Sequence, residues 1–240
     1  MYSQITKHAN GILLWTMNHQ QSKNALGYKM LDDLHQCLQQ PCTSFIVNSI
    51  LPDVFCSGGN LKERLLMDKK QTIAFTDKLR EIYNQIDCLQ IPTFAALHGK
   101  VLGGGFEFSL SFDFRYSHSN TILALPQVSI GSIPGLGGIT RLPVLIGEAK
   151  AKELILLGKE LNAQEAMAMG LITGVSEDPL SMCMQMAEKC VSRLESYKIA
   201  KKAILGANER ECYIEAMDNA ERMKALKRFA NKINPKDGVN

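Results

Sequence analysis

His98-Gly99-Lys100-Val101-Leu102-Gly103-Gly104-Gly105-Phe106-Glu107 is the stretch on which the fold turns. Three consecutive glycines enter a helix-like segment in which Phe106, Phe108, Leu110 and Phe112 are expected to pack inward. Glycine reaches dihedrals that other residues avoid and lets a ligand approach the backbone, while the first N–H groups of a helix have no internal acceptor. Two such N–H groups aimed at one point would make an oxyanion hole. For any single cluster a tight packing turn is the competing explanation.

Two further glycine loops flank this one. Upstream lies Phe55-Cys56-Ser57-Gly58-Gly59-Asn60-Leu61-Lys62-Glu63, and downstream Ile133-Pro134-Gly135-Leu136-Gly137-Gly138-Ile139-Thr140-Arg141-Leu142-Pro143. None has a Gly-Lys-Ser/Thr after four variable residues, which excludes a nucleotide P-loop on spacing. Gly135-x-Gly137 lacks the third glycine of a dinucleotide fingerprint and follows a loop instead of a clear strand.

Working outward, Ile12 to Met17 and Phe45 to Ile50 are strand-length apolar runs. Between them Met30, Leu34 and Leu38 repeat at helical spacing, with Asn24 as the expected cap. Pro92 predicts the end of a helix over Ile82 to Leu89 and the start of a strand over Thr93 to Leu97. Beyond Glu148 the pattern is helical: Ala149 to Leu157 closed by Gly158, then Ala163 to Met169 opened by an Asn162/Glu165 capping box and closed by Gly170. Pro179 to Leu194, Tyr197 to Leu205 and Glu209 to Ile233 complete a helical third, on which Met182, Met186, Met217, Met223, Leu226, Phe229 and Ile233 are expected to offer association surface. No internal repeat, low-complexity segment or linker stands out. Strands first and helices afterwards predict one α/β core with a helical appendage, divided as residues 1–178 and 179–240.

Composition narrows the function. The 240 residues are 45% hydrophobic and 21% charged, enough for one large domain that buries roughly 70% of its unfolded surface. No apolar run reaches the ~18 residues of a membrane span. Met1 to Lys7 does not begin a basic-then-apolar signal sequence, so a cytoplasmic location is expected. The seven cysteines form no Cys-x-x-Cys pair, which fits a reducing compartment, and with the five scattered histidines they offer no metal-ligand set. The net charge of +3 points to neither nucleic acid nor membrane, although Arg222, Lys224, Lys227, Arg228, Lys232 and Lys236 crowd the last helix-like stretch.

Taken in order, these motifs make the chain resemble the enoyl-CoA hydratase (crotonase) superfamily. The resemblance runs from Gly11 to about Val175: Asn24-Ala25-Leu26, Phe-Cys-Ser-Gly-Gly, Gly-Gly-Gly-x-Glu, Pro-Gly-x-Gly-Gly-x-x-Arg-Leu-Pro, then Ala-x-Glu-Leu and Ala-x-x-Ala-x-x-x-Gly-Leu-Ile. Phe55 to Lys62 looks most like typical hydratases, including the methylglutaconyl-CoA hydratase branch. The resemblance implies a spiral of ββα turns with a helical C-terminal region, a homotrimer or hexamer, and a lyase of acyl-CoA and fatty acid metabolism. It implies no cofactor beyond the CoA or pantetheine carried by the substrate. Its oxyanion-hole donors fall on the N–H groups of Gly59 and Gly104, and its acid-base residue on Glu107. Ser57, Gly58, Asn60, Leu61, Gly103, Gln127, Pro134 and Gly135 fall on substrate-lining positions.

The sequence departs from the resemblance twice. Typical hydratases carry a second glutamate in a Pro-Glu segment, where this chain has Pro126-Gln127. An amide can orient water but cannot titrate, so the departure counts against simple hydration and, by the resemblance, against simple isomerisation too. It leaves chemistry through Glu107 alone, such as slow hydration, with isomerisation or decarboxylation of a thioester as the alternatives. Glu63, Arg64, Asp68, Asp77, His98 and Lys100 are the nearby groups that could compensate, each also readable as structural or solvated. The second departure is the C-terminus, which lacks the Phe-x-x-Lys-Arg-x-Pro-like ending that helps hold the CoA nucleotide in relatives. That leaves an acyl carrier protein as an alternative carrier, and a non-catalytic acyl-CoA-binding or RNA-binding paralogue as the reading from another class.

Overall fold

The computed structural model describes residues 2–233. Strands β1 (Ser3–Lys7) and β2 (Ile12–Met17) form an antiparallel pair, and helix α1 (Tyr28–Leu38) returns the chain to β3 (Ser44–Ser49), parallel to β2. From there one unit recurs. β3, β4 (Val54–Cys56) and α3 (Lys69–Asp87), preceded by the short α2 (Leu61–Arg64), make the first turn. β5 (Thr93–Leu97), β6 (Lys100–Leu102) and α4 (Gly104–Ser109) make the second, and β7 (Phe114–Ser117), β8 (Ile122–Ala124) and α5 (Gly138–Leu156) the third. β9 (Leu161–Asn162), α6 (Ala163–Ala168) and β10 (Gly174–Val175) close the spiral.

In each turn the first strand joins a six-stranded sheet, ordered β1-β2-β3-β5-β7-β10, and the second joins a four-stranded sheet, ordered β4-β6-β8-β9. This is the spiral of ββα turns that the resemblance implied. The repetition is spatial only, because each turn fills its positions with different side chains.

The central strands β3 and β5 of the six-stranded sheet are buried on both faces, as parallel strands usually are. Phe45, Val47, Ala95 and Leu97 face the main core, while Ile12, Ile46, Phe94 and Ala96 pack under Cys183 and Ala187 of α7 (Pro179–Val191). α8 (Leu194–Ile204), α9 (Glu209–Met217) and α10 (Ala220–Ile233) follow, so the expected helix over Glu209 to Ile233 is two helices broken near Asp218. Met186, one of the residues expected to offer association surface, is partly buried against the sheet-facing cluster. Lys236 and the side chains of Lys232 and Ile233 lie outside the described residues.

Asn24 is a correction. The cap of α1 is Gly27, and Asn24 is fully buried in a left-handed conformation (φ 55°). Its side chain donates to Ser49 Oγ and Phe55 O and accepts from His19 N, which ties the loop before α1 to the end of β4. The expected segment Ala149 to Leu157 is the second half of α5, which is kinked at Gly147 (φ 78°).

Candidate active site

The three glycine loops converge at the start of α4. Phe108 fixes that short helix, its ring 5.1 Å from both Tyr83 and Phe112 and 6.1 Å from Trp15. Tyr83 also donates its hydroxyl to Gly104 O at 3.0 Å. Gly105 must be glycine, because a Cβ there would lie 2.6 Å from the Cys56 Cβ. That close approach brings the β4 loop onto the α4 loop. A Cβ on Gly58 (φ 99°) would sit 3.5 Å from Gly104 N, and one on Gly104 would sit 3.7 Å from Gly59 N.

The two amides therefore occupy one small region. Gly59 forms a parallel bridge with Leu26, in which Leu26 N donates to Gly58 O and Asn60 N donates to Leu26 O. In such a bridge the bonding groups are those of the flanking residues, so the Gly59 N–H turns away from Leu26. Gly104 is the first residue of α4, and its N–H precedes the first intrahelical acceptor. The side chains of Leu26 and Leu136 stand beside Gly104, 3.3 and 3.1 Å from where its Cβ would be, and give the region an apolar wall.

Glu107 lies one helical turn beyond Gly104 and is 1% exposed. Its Oε1 accepts from Leu136 N at 2.7 Å and Gly138 N at 2.9 Å, and its Oε2 accepts from Gln127 Nε2 at 3.0 Å. It is therefore not a helix-start acid turned to its own helix, because the third glycine loop supplies its donors. Burial pushes its carboxyl above the ordinary glutamate range, against the pull of the Gly138 and Leu136 amides, Gln127 and the Arg141 charge. A raised carboxyl pKa within reach of a reactive site suits proton transfer near neutral pH.

Two arginines clasp the third loop to α3. Arg80 donates through Nε and Nη2 to Gly135 O, and Arg141 donates to Leu136 O, Asn84 Oδ1 and Asp87 Oδ2. Sequence reasoning assigned no role to Leu136, Gly138, Arg80, Arg141 or Tyr83. Backbone donors leave no side-chain signal, and the two arginines act on the loop from outside the site.

The remaining expected positions are placed as follows. Ser57 Oγ donates to Ser22 O, and Asn60 caps α2 through Glu63 N. Leu61 is exposed, Gly103 (φ 52°) faces the Gln127 amide, and Pro134 packs where a Gly138 side chain would be. The compensating groups are engaged elsewhere. Glu63 accepts from Tyr28 N and Asn60 Nδ2, Asp68 caps α3, Asp77 pairs with Arg80, and Arg64 bonds Thr76 over the Phe75 ring. His98 is held by Leu51 O, with its pKa lowered by burial, and Lys100 is exposed. Arg193, Arg222, Lys224 and Arg228 line a separate cavity of about 550 Å³ between α8 and α10. Among the described residues no cluster of three or more His, Cys, Asp or Glu could hold a metal ion, and no helix is long and apolar enough to cross a membrane.

A spiral α/β fold with backbone amides and a carboxylate gathered at its glycine loops defines a class of protein, and comparison with known proteins identifies it. The chain matches the enoyl-CoA hydratase/isomerase family over residues 7–238 and belongs to it. An enoyl-CoA isomerase/hydratase of Mycosarcoma maydis is 34% identical, covering 94% of this chain and 92% of that protein. The mitochondrial methylglutaconyl-CoA hydratase of Mus musculus is 32% identical, covering 94% and 79%. The crystal structure of enoyl-CoA hydratase from Bacillus anthracis superposes with a TM-score of 0.85 at 28% identity, covering 97% of each chain.

Proposed function

We propose that this chain is a hydratase-like enzyme that binds an enoyl thioester with its carbonyl oxygen between the Gly59 and Gly104 N–H groups and moves protons through Glu107. The observation that carries the reading is the buried Glu107 carboxylate, one helical turn from the paired amides, with one oxygen fixed and the other held by a single side-chain bond. Two N–H donors stabilise the negative charge that develops on the thioester oxygen, and losing one typically costs ~3 to 4 kcal/mol of transition-state stabilisation. In hydration, Glu107 takes a proton from water as the oxygen attacks the β-carbon. The electron pair of the double bond moves toward the thioester, and the same carboxyl returns a proton to the α-carbon.

A second reading is isomerisation through the same Glu107 carboxylate. Moving a double bond along the acyl chain needs only one group that removes a proton from one carbon and returns it to another, which a lone carboxylate supplies. The ligand in either case is a thioester, carried by CoA or an acyl carrier protein. The expected oligomer is a homotrimer or hexamer, and the expected location is the cytoplasm.

The test is incubation with 2-enoyl, 3-enoyl and glutaconyl thioesters in heavy water, followed by NMR. Hydration or isomerisation with deuterium incorporation supports the reading. Failure to turn over or exchange any of them, with binding intact, contradicts it and leaves the non-catalytic reading.

A further inference from the structure

Both lone pairs of Glu107 Oε1 are taken by backbone N–H groups, of Leu136 and Gly138. A proton on this carboxyl therefore resides on Oε2, whose hydrogen-bond partner is Gln127 Nε2. The other end of that amide, Gln127 Oε1, is buried and has no partner among the described residues. Gly103 lies beside the Nε2 end, where a Cβ would come to 3.5 Å from Nε2.

An amide facing a carboxyl oxygen can make one of two bonds. Its N–H donates most strongly to an ionised oxygen, and its C=O accepts only from a protonated one; C=O against a carboxylate sets acceptor against acceptor, so the ionised form requires the N–H and the acid alone permits the C=O. In the observed orientation no protein group among the described residues holds the Oε1 end of the Gln127 amide, so the bond to Glu107 is what fixes the amide. We infer that Gln127 is a positioning residue whose amide rotates with each protonation of Glu107, donating Nε2–H to the carboxylate and accepting Oε2–H from the acid.

This inference rests on the reading of Glu107 as the acid-base group and assigns the proton an atom. When a C–H or water O–H bond breaks, the proton goes to Oε2 and the electron pair moves toward the thioester oxygen. The rotated amide then holds the acid until the proton is returned to carbon. A carboxylate in place of Gln127 would add its own charge to the titration. The other groups that act on Glu107 are Arg141 from α5 and the buried Tyr83 phenol from α3. Their hydrogen bonds go to Leu136 O and Gly104 O, so rotation of the amide breaks neither.

The test follows the Gln127 side-chain amide resonances and the Glu107 carboxyl carbon by NMR through one pH titration of the full chain. The amide signals are assigned by their loss in Gln127→Met. They are expected to move with the same midpoint as the Glu107 carbon and to stay still in Glu107→Gln. Gln127→Met removes a charge-assisted bond to the carboxylate and a weaker neutral bond to the acid, so the Glu107 midpoint should rise only by their difference, about one pH unit or less, and the acid limb of the rate profile with it. Amide signals that stay fixed while Glu107 titrates would overturn the inference. If Gln127→Met does not fold, the titration of the parent protein still decides. Full turnover in Glu107→Gln, with the amide still following the carboxyl in the parent, would support the coupling and remove the acid-base reading instead.

Discussion

Glu107 carries two opposite pH dependences. Because burial raises its pKa in the folded chain, the folded state keeps the proton to a higher pH than the unfolded chain does. Its contribution to stability is therefore present below the ordinary glutamate pKa and is lost as pH rises through the folded value. A general base has the reverse slope, since it must be ionised. Initial rates should fall on acidification with a midpoint above the ordinary glutamate range, while urea midpoints of the parent, compared with Glu107→Gln, should show Glu107 favouring the fold at the acid end. At Gly59 the expectation is a separation of stability from function. An added Cβ meets nothing within 4 Å and φ is not positive, so Gly59→Ala should fold with unchanged stability or gain about 0.4 to 1 kcal/mol. The methyl group would stand at the amide that receives the thioester oxygen, so kcat should drop by about 10²- to 10³-fold. Thermal melts and steady-state rates on the same preparation check both halves.

At the scale of elements, the site depends on how loops are tied to helices. Arg141 links Leu136 O to Asp87 and Asn84 of α3, with its side chain largely buried. Arg141→Ala should cost about 1 to 3 kcal/mol in chemical denaturation and lower kcat as well, because the loop it holds supplies the donors to Glu107. Lys201 of α8 makes the comparison. It is 5% exposed and bonds Asp113 and Ile91 O, and Asp113 also receives Thr93 and Tyr197. Lys201→Met leaves that carboxylate without its cation and should cost about 3 to 5 kcal/mol, with kcat unchanged at temperatures where the variant is folded. The longer elements were legible in the sequence. Ile12 to Met17, Thr93 to Leu97 and the Asn162/Glu165 capping box stand in the structure where their patterns put them. The three-residue strands β4, β6 and β8 were not, because three residues are too few to display a period of two. Gly59, Gly104 and Glu107 were legible as a group through their motifs. Asn24 was misread because a buried residue bonded to Ser49 and Phe55 has the same local sequence look as a cap.

At the scale of the molecule, the spiral leaves apolar surface on its outer helices. Val144, Leu145, Leu156 and Leu157 of the α5 region are exposed, as are Ile204, Leu205, Tyr213 and Ile214 around α8 and α9. Met223, Leu226 and Phe229 of α10, expected from the sequence, are exposed as well. Apolar area on this scale is characteristic of association surfaces. Light scattering at micromolar concentration should give the mass of a trimer or hexamer, and a strictly monomeric mass would contradict that expectation.

The central claim is that one buried carboxylate does the proton chemistry on a thioester bound by backbone amides. Its most direct test is the turnover number and the dissociation constant of the best enoyl thioester measured side by side for the parent and Glu107→Gln. In Glu107→Gln kcat should fall by about 10²- to 10⁴-fold while the dissociation constant is nearly unchanged, since the amide keeps the shape and loses the proton. A Glu107→Gln variant that turns over at the parent rate would contradict it.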